Sequence, residues 1–237
     1  MLKMKEKSKL RSDGRKFDEI RPISAETGVI PRADGSALFK IGKTIAYAAV
    51  YGPRELHPKF LQNPEKGILR CNYNMMSFSG SGERVRPGPS RRSRELSMVI
   101  EKALLPVLNL EQYPNAVIDV FIELLQTDSG TRCAGICAAA LALADAGIPM
   151  KDLVAAVSVG YVNGRLVLDL TKEEEDEDDA VDIPVAVLPR KQDFSLLQLD
   201  GLISKDHILE VLQLGINGCQ QIYEIQKKAL KERYKHD

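Results

Sequence analysis

Residues 131–149, TRCAGICAAALALADAGIP, narrow the folds open to this chain more than any other stretch. Ala, Leu, Ile and Cys fill the run, and Gly147 and Pro149 close it with a helix stop signal. A helix that is apolar all round has no side to give to water and is buried. Its small residues let neighbours come close. Directly before it, NAVIDVFIELLQ sets Ile118, Val120, Ile122 and Leu124 at every second position, the period of a strand. The four residues between, TDSG, therefore form a strand-to-helix turn, and Arg132 follows at once.

The rest of the chain supplies what surrounds that helix. Residues 28–53, GVIPRADGSALFKIGKTIAYAAVYGP, predict a strand meander with a hairpin turn at Asp34-Gly35 and an end at Gly52-Pro53. Residues 54–69 predict a long polar loop, and LRCNYNMMSFS a further strand. GSGERVRPGPSRRS is a flexible basic segment, and Leu96, Val99, Ile100 and Leu104 predict a helix starting near Arg91. VAAVSVGYVNGRLVLDL predicts a hairpin with Asn163-Gly164 at its tip. An acidic loop, TKEEEDEDDAVD, follows, then strands in IPVAVLP and DFSLLQLDG, then a long helix capped by Ser204. Strands in runs and then a helix, twice over, predict an α+β fold with an internal duplication. The expected organisation is a flexible basic tail over 1–11, a first unit over 12–150 and a second over 151–237.

Composition narrows the function. The 237 residues include 33 basic and 33 acidic ones, so total charge does not point to a polyanion and any such site must come from local clustering. Trp is absent, which leaves little for a base-stacking platform. Cys133 and Cys137 lie one helical turn apart, but no second pair stands at zinc-ligand spacing, and His57, His207 and His236 are scattered. Buried free thiols in a reducing cytoplasm are the expectation for all four cysteines. The basic N-terminal stretch has no apolar centre, so it is not a signal peptide, and no run is long enough to span a bilayer. A cytoplasmic protein is expected.

Two helix starts carry the chemistry. At the first, Ser129, Gly130, Thr131 and Arg132 meet unpaired backbone N–H groups and the positive end of the helix dipole. Gly130 admits a close ligand, the hydroxyls donate, and the Arg132 fork suits phosphate oxygens, so the group forms an anion cradle. The competing reading is an ordinary cap by Asp128 or Ser129 with a solvated arginine. At the second, PSRRSRE puts Arg91, Arg92 and Arg94 where cations oppose the dipole, either to meet an anion or to extend into water. Asp182 stands at the mouth of a strand, apart from the solvated acidic run, and Asp176 could partner it. Paired carboxylates beside a phosphate site hold Mg²⁺ or move a proton to a leaving oxygen. The G-x-x-x-x-G-K-[ST], G-x-G-x-x-G, G-x-S-x-G and H-E-x-x-H motifs are all absent, which argues against a nucleotide kinase or a serine hydrolase.

SDGR, DGSALFKIGKTIAYAAVYGP, PSRRSRE, LLQTDSGTRCAGICAAALALADAGIPM and VDIPVAVLP together resemble the RNase PH family, from about Ser12 to the final helix. The YGPRELHP loop and the PSRR form are more similar to the catalytic RNase PH-like subunits of archaeal exosomes than to bacterial RNase PH. The resemblance implies the RNase PH fold (ribosomal protein S5 domain 2-like), with duplicated β-α units, mixed sheets and packed helices. It implies a 3′-to-5′ exoribonuclease that uses inorganic phosphate as co-substrate, releases nucleoside diphosphates from single-stranded RNA and, in reverse, adds RNA tails. It implies a heterohexameric ring with a related inactive subunit, and RNA-binding cap subunits. By position, Arg92 and Arg132 resemble the family's phosphate-gripping arginines, and Gly130 and Thr131 its cradle. Asp182 resembles the catalytic aspartate and Asp176 its companion, with Mg²⁺ as an option at the pair. The acidic segment is about one residue longer than the family pattern, so Asp178 or Glu175 could take the place of Asp176. Arg91, Lys59, Lys66 and Arg70 are the candidates for holding the RNA backbone, against a reading as solvated charges. An inactive RNA-binding ring subunit and a free-standing homohexamer trimming tRNA 3′ ends are the alternatives.

Overall fold

The computed structural model describes residues 11–82, 84–177 and 179–235. Of the tail expected over 1–11, residues 1–10 lie outside these, as do Asp178 and His236. Arg11 does not belong to a tail. It is buried, donates to the carbonyls of Leu168 and Asp169 and forms a close ion pair with Glu174.

Five strands form the first sheet: β1 (Ile23–Thr27), β2 (Gly35–Ile41), β3 (Thr44–Glu55), β4 (Ile68–Met75) and β5 (Ala116–Gln126), in the order β1-β2-β3-β5-β4. Only β4 and β5 run parallel. A parallel pair needs a crossover, and α1 (Arg91–Leu104) supplies it. The second sheet holds β6 (Ala155–Val162), β7 (Arg165–Leu168), β8 (Val181–Leu188) and β9 (Asp193–Leu197), in the order β7-β6-β8-β9. Its pairs are antiparallel throughout, so only the first sheet is mixed.

The helix α2 (Thr131–Asp145) packs against strands of both sheets as well as α1. Every residue from Cys133 to Leu143 is buried, as its unbroken apolar sequence requires. The long α4 (Lys205–Arg233) covers β6 and β8 and reaches β1. One continuous core results, running from Ala37 on β2 through α2 to Tyr223 on α4.

Close packing at the far end of α2 depends on one glycine. A Cβ on Gly35 would lie 2.2 Å from the Ala146 backbone nitrogen and 2.4 Å from the Ala142 oxygen, and backbone cannot swing aside as a side chain can. Gly35→Ala is therefore expected to lower stability by roughly 1–3 kcal/mol in a urea titration.

Several boundaries differ from expectation. The β2–β3 turn lies at Gly42-Lys43, where Ile41 pairs with Thr44 and Gly42 adopts φ +55°. Asp34-Gly35 instead enters β2, and the Asp34 carboxylate accepts the Gly52 N–H at 2.8 Å. That bond helps carry β3 beyond Gly52-Pro53 to Glu55, with a register shift between Tyr51 and Arg54. The acidic stretch contains one helical turn, α3 (Lys172–Glu175), because Thr171 and Glu174 form a reciprocal cap. Asn163-Gly164 is the predicted hairpin tip, with φ +52° and +76°.

Candidate active site

The turn between β5 and α2 is the starting point. Ser129 and Gly130 are both left-handed, with φ +58° and +63°, and Gly130 occupies the N-cap without any side chain capping the helix. The cap by Asp128 or Ser129 is absent. The Asp128 carboxylate turns aside to the Lys172 backbone N–H at 3.3 Å and lies 3.5 Å from Arg21. The first N–H groups of α2 are thus left for a ligand.

The other helix start behaves differently. Ser90 and Ser93 cap α1 reciprocally, so the Ser93 N–H, unlike any N–H at the start of α2, has a side-chain acceptor. What α1 contributes is the Arg92 side chain. It lines a cleft of about 180 Å³ together with Ser129, Gly130, Thr131 and Arg132. Asp182 and Ser158, from β8 and β6, line the same cleft, as do Lys172 and Glu175 of α3 and the Gly80–Ser81–Gly82 segment after β4. Residues from six separate segments of the chain therefore meet at one opening.

Asp182 is held by its neighbours. Its backbone bridges Asp200 through bonds of 3.0 and 2.9 Å, and the Ser158 hydroxyl donates to its carboxylate in a very close contact. Burial pushes its carboxyl above the ordinary range, Glu175 and Asp200 push it further, and Ser158 and Arg132 only partly oppose this. Arg132 is aimed by Gln198, which accepts from its guanidinium at 2.6 Å.

Asp176 is not in this cleft. Successive residues of a helical turn point about 100° apart, so Glu175 faces Asp182 while Asp176 faces away. Asp176 is exposed, bonds Lys172 Nζ at 2.6 Å and lines a neighbouring depression with Lys43, Phe78 and Gln126. Glu175, the alternative, is the acid that joins Asp182. The carboxylate pair expected to hold Mg²⁺ is thus not assembled, and no three potential metal-binding side chains cluster among the described residues.

The four basic residues expected along the RNA path stand outside the cleft. Arg70 is committed to its β5 neighbour Asp119, through bonds of 2.5 and 2.9 Å that tie the parallel pair. Lys59 is exposed and lies 3.7 Å from Glu55. Lys66 and Arg91 are exposed as well. All four cysteines are buried free thiols, and burial raises the Cys137 thiol to about 12. They are poor nucleophiles and poor metal ligands at neutral pH.

Sequence reasoning passed over the support of the cradle. Arg21 grips Asp169 through both carboxylate oxygens, at 2.8 and 2.7 Å, and also donates to the Asp128 carbonyl. Asp169 also receives the Arg21 backbone N–H at 2.9 Å. Both side chains are nearly excluded from solvent. Asp169→Ala would strand the arginine in the interior, at an expected cost of about 3–5 kcal/mol by chemical denaturation. Ser158 did carry a signal, as the one hydroxyl in the apolar run AAVSVG. Lys172 carried none within a run of charges.

Family models for the 3′ exoribonuclease family match residues 19–149 (domain 1) and 152–218 (domain 2). The chain is 56% identical over 233 residues to the exosome complex component Rrp41 of Thermococcus kodakarensis, covering 98% of this chain and 93% of that one. It is 49% identical over 228 residues to the protein of the same name from Methanopyrus kandleri, covering 96% and 95%. The crystal structure of rice Rrp46 superposes with a TM-score of 0.83 at 27% identity, covering 93% of this chain and all of the other. The chain belongs to the RNase PH family of 3′ exoribonucleases.

Proposed function

We propose that this chain is the catalytic RNase PH-like subunit of an archaeal exosome, a phosphate-dependent 3′-to-5′ exoribonuclease. The observation that carries the proposal is the meeting of Arg92, Arg132, the uncapped start of α2 and Asp182 in one cleft. The identity to Rrp41 components supports the exosome setting. Within that setting the proposal includes a related inactive subunit in the ring, RNA-binding cap subunits, and the cytoplasm as its place.

The chemistry follows from charge. Inorganic phosphate is already an anionic nucleophile and must approach a phosphodiester that repels it. Arg92 and Arg132 offset that repulsion, and the N–H groups of the cradle add fixed dipoles. An oxygen of the phosphate bonds to phosphorus, the bond to the upstream O3′ breaks, and a nucleoside diphosphate leaves. The departing O3′ needs a proton. Asp182, whose carboxyl is raised, sits in the cleft to supply it. Run backwards, the same steps extend RNA from diphosphates. No step is assigned to Mg²⁺, since Asp176 and Asp182 do not line the same cleft.

Assaying single-stranded RNA with and without phosphate, and with and without the ring partner, tests this. Diphosphates released only when both are present are expected. Monophosphate products, or degradation indifferent to phosphate, would overturn the proposal. A stable homohexamer active alone would favour the free-standing enzyme, and RNA binding without turnover the inactive subunit.

A further inference from the structure

We infer that Thr44 is a positioning residue that sets which way the Ser129–Gly130 peptide faces and so builds the phosphate cradle from behind. Thr44 opens β3, about 85 residues away in sequence, and is completely buried. Its hydroxyl spends both of its bonds on the cradle turn. It accepts the Asp128 N–H at 2.9 Å and donates to the Ser129 carbonyl at 2.8 Å.

In a trans peptide the C=O and the N–H point in opposite directions. Fixing the Ser129 carbonyl on Thr44 therefore turns the Gly130 N–H away from Thr44, and no β3 residue lines the cleft that Ser129, Gly130 and Thr131 share. No protein acceptor meets that N–H among the described residues. The conformation is not one the turn adopts cheaply, because Ser129 carries a side chain at φ +58°. A left-handed non-glycine residue persists where its surroundings over-determine it, and here Thr44 and the Arg21 bond to the Asp128 carbonyl do so.

The inference rests on the phosphate site proposed above, and its test separates the two. Inorganic phosphate is titrated calorimetrically into the full chain assembled with its ring partner, and RNA affinity is measured on the same samples. Thr44→Val keeps the shape but removes the hydroxyl. It is expected to weaken phosphate binding at least about tenfold, the order of effect of losing a hydrogen bond to a charged group in the bound state. Thr44→Ser keeps the hydroxyl and is expected to stay close to wild type, with RNA affinity the same in all three. Loss of phosphate affinity alone, rescued by Ser, marks positioning; general loosening would weaken RNA binding too. Should the Val variant fail to assemble, Thr44→Cys, with a weaker donor and acceptor, is compared with Thr44→Ser by the same criterion. Equal phosphate affinity with and without the hydroxyl would overturn the role of Thr44. Absence of phosphate binding in the wild type would overturn the site itself.

Discussion

Asp182→Asn is expected to abolish phosphorolysis while leaving RNA bound. The substitution keeps the shape of the side chain and an oxygen to accept from Ser158, so the strand and its bridge to Asp200 stay in place. What disappears is the exchangeable carboxyl proton beside the cradle. Positioned proton transfer is worth about 10²–10⁴ in rate, and initial rates of diphosphate release should fall by that much or more. A gel-shift titration should show RNA affinity close to wild type, since the arginines remain. A variant that releases diphosphates at the normal rate would remove Asp182 from the chemistry.

The same substitution has a stability sign. Burial raises the Asp182 carboxyl in the folded chain above its unfolded value. The folded state therefore binds the proton more tightly, and stability is lost as pH rises from the unfolded value through the folded one. Asn carries no such proton. At pH 8 Asp182→Asn should be at least as stable as wild type to urea, whereas near pH 3 the advantage disappears.

The second large effect belongs to the arginines. Arg132→Ala should lower kcat/KM for phosphate by about 10²–10³, the loss typical of removing an aimed donor to a reacting oxyanion. Arg92→Ala should do the same from the opposite element, α1. Arg132→Lys should recover only part of the loss, because an ammonium cannot make the paired contacts of the fork that Gln198 now aims. If the two residues grip one reacting assembly, the double variant will lose less than the sum of the single losses. Strict additivity would argue for two separate sites.

Much of this was legible in the sequence because the key signals are local. The alternation of Ile118 to Leu124 and the apolar run after Arg132 each specify their element without reference to the rest of the chain. Turn chemistry gave Asn163-Gly164, and the helical spacing of Leu96, Val99, Ile100 and Leu104 gave α1. The cradle residues were legible for the same reason, as a charge placed against a helix dipole. The failures are long-range. The commitment of Arg70 to Asp119 follows from a parallel pairing that the sequence does not display. Asp34-Gly35 has the composition of a hairpin turn, yet Gly42-Lys43 serves because strand pairing fixes the register. Asp176 and Glu175 are adjacent in the chain, and only the helical turn made by Thr171 and Glu174 decides which one faces Asp182. Arg11 looked like part of a basic tail, but Glu174 and the carbonyls of Glu19, Leu168 and Asp169 hold it inside. Burial works to raise the Glu174 carboxyl, yet the Arg11 and Thr171 hydrogen bonds hold it below its ordinary value. That contribution is present at neutral pH and is lost as pH falls through the folded value.

The most direct measurement is a crystal structure of the ring-assembled chain grown with tungstate, a strongly scattering stand-in for phosphate. Anomalous density is expected between the Arg92 and Arg132 guanidinium groups, against the Gly130 N–H and beside Asp182. Density at other sites, with that cleft empty at saturating tungstate, would contradict the account.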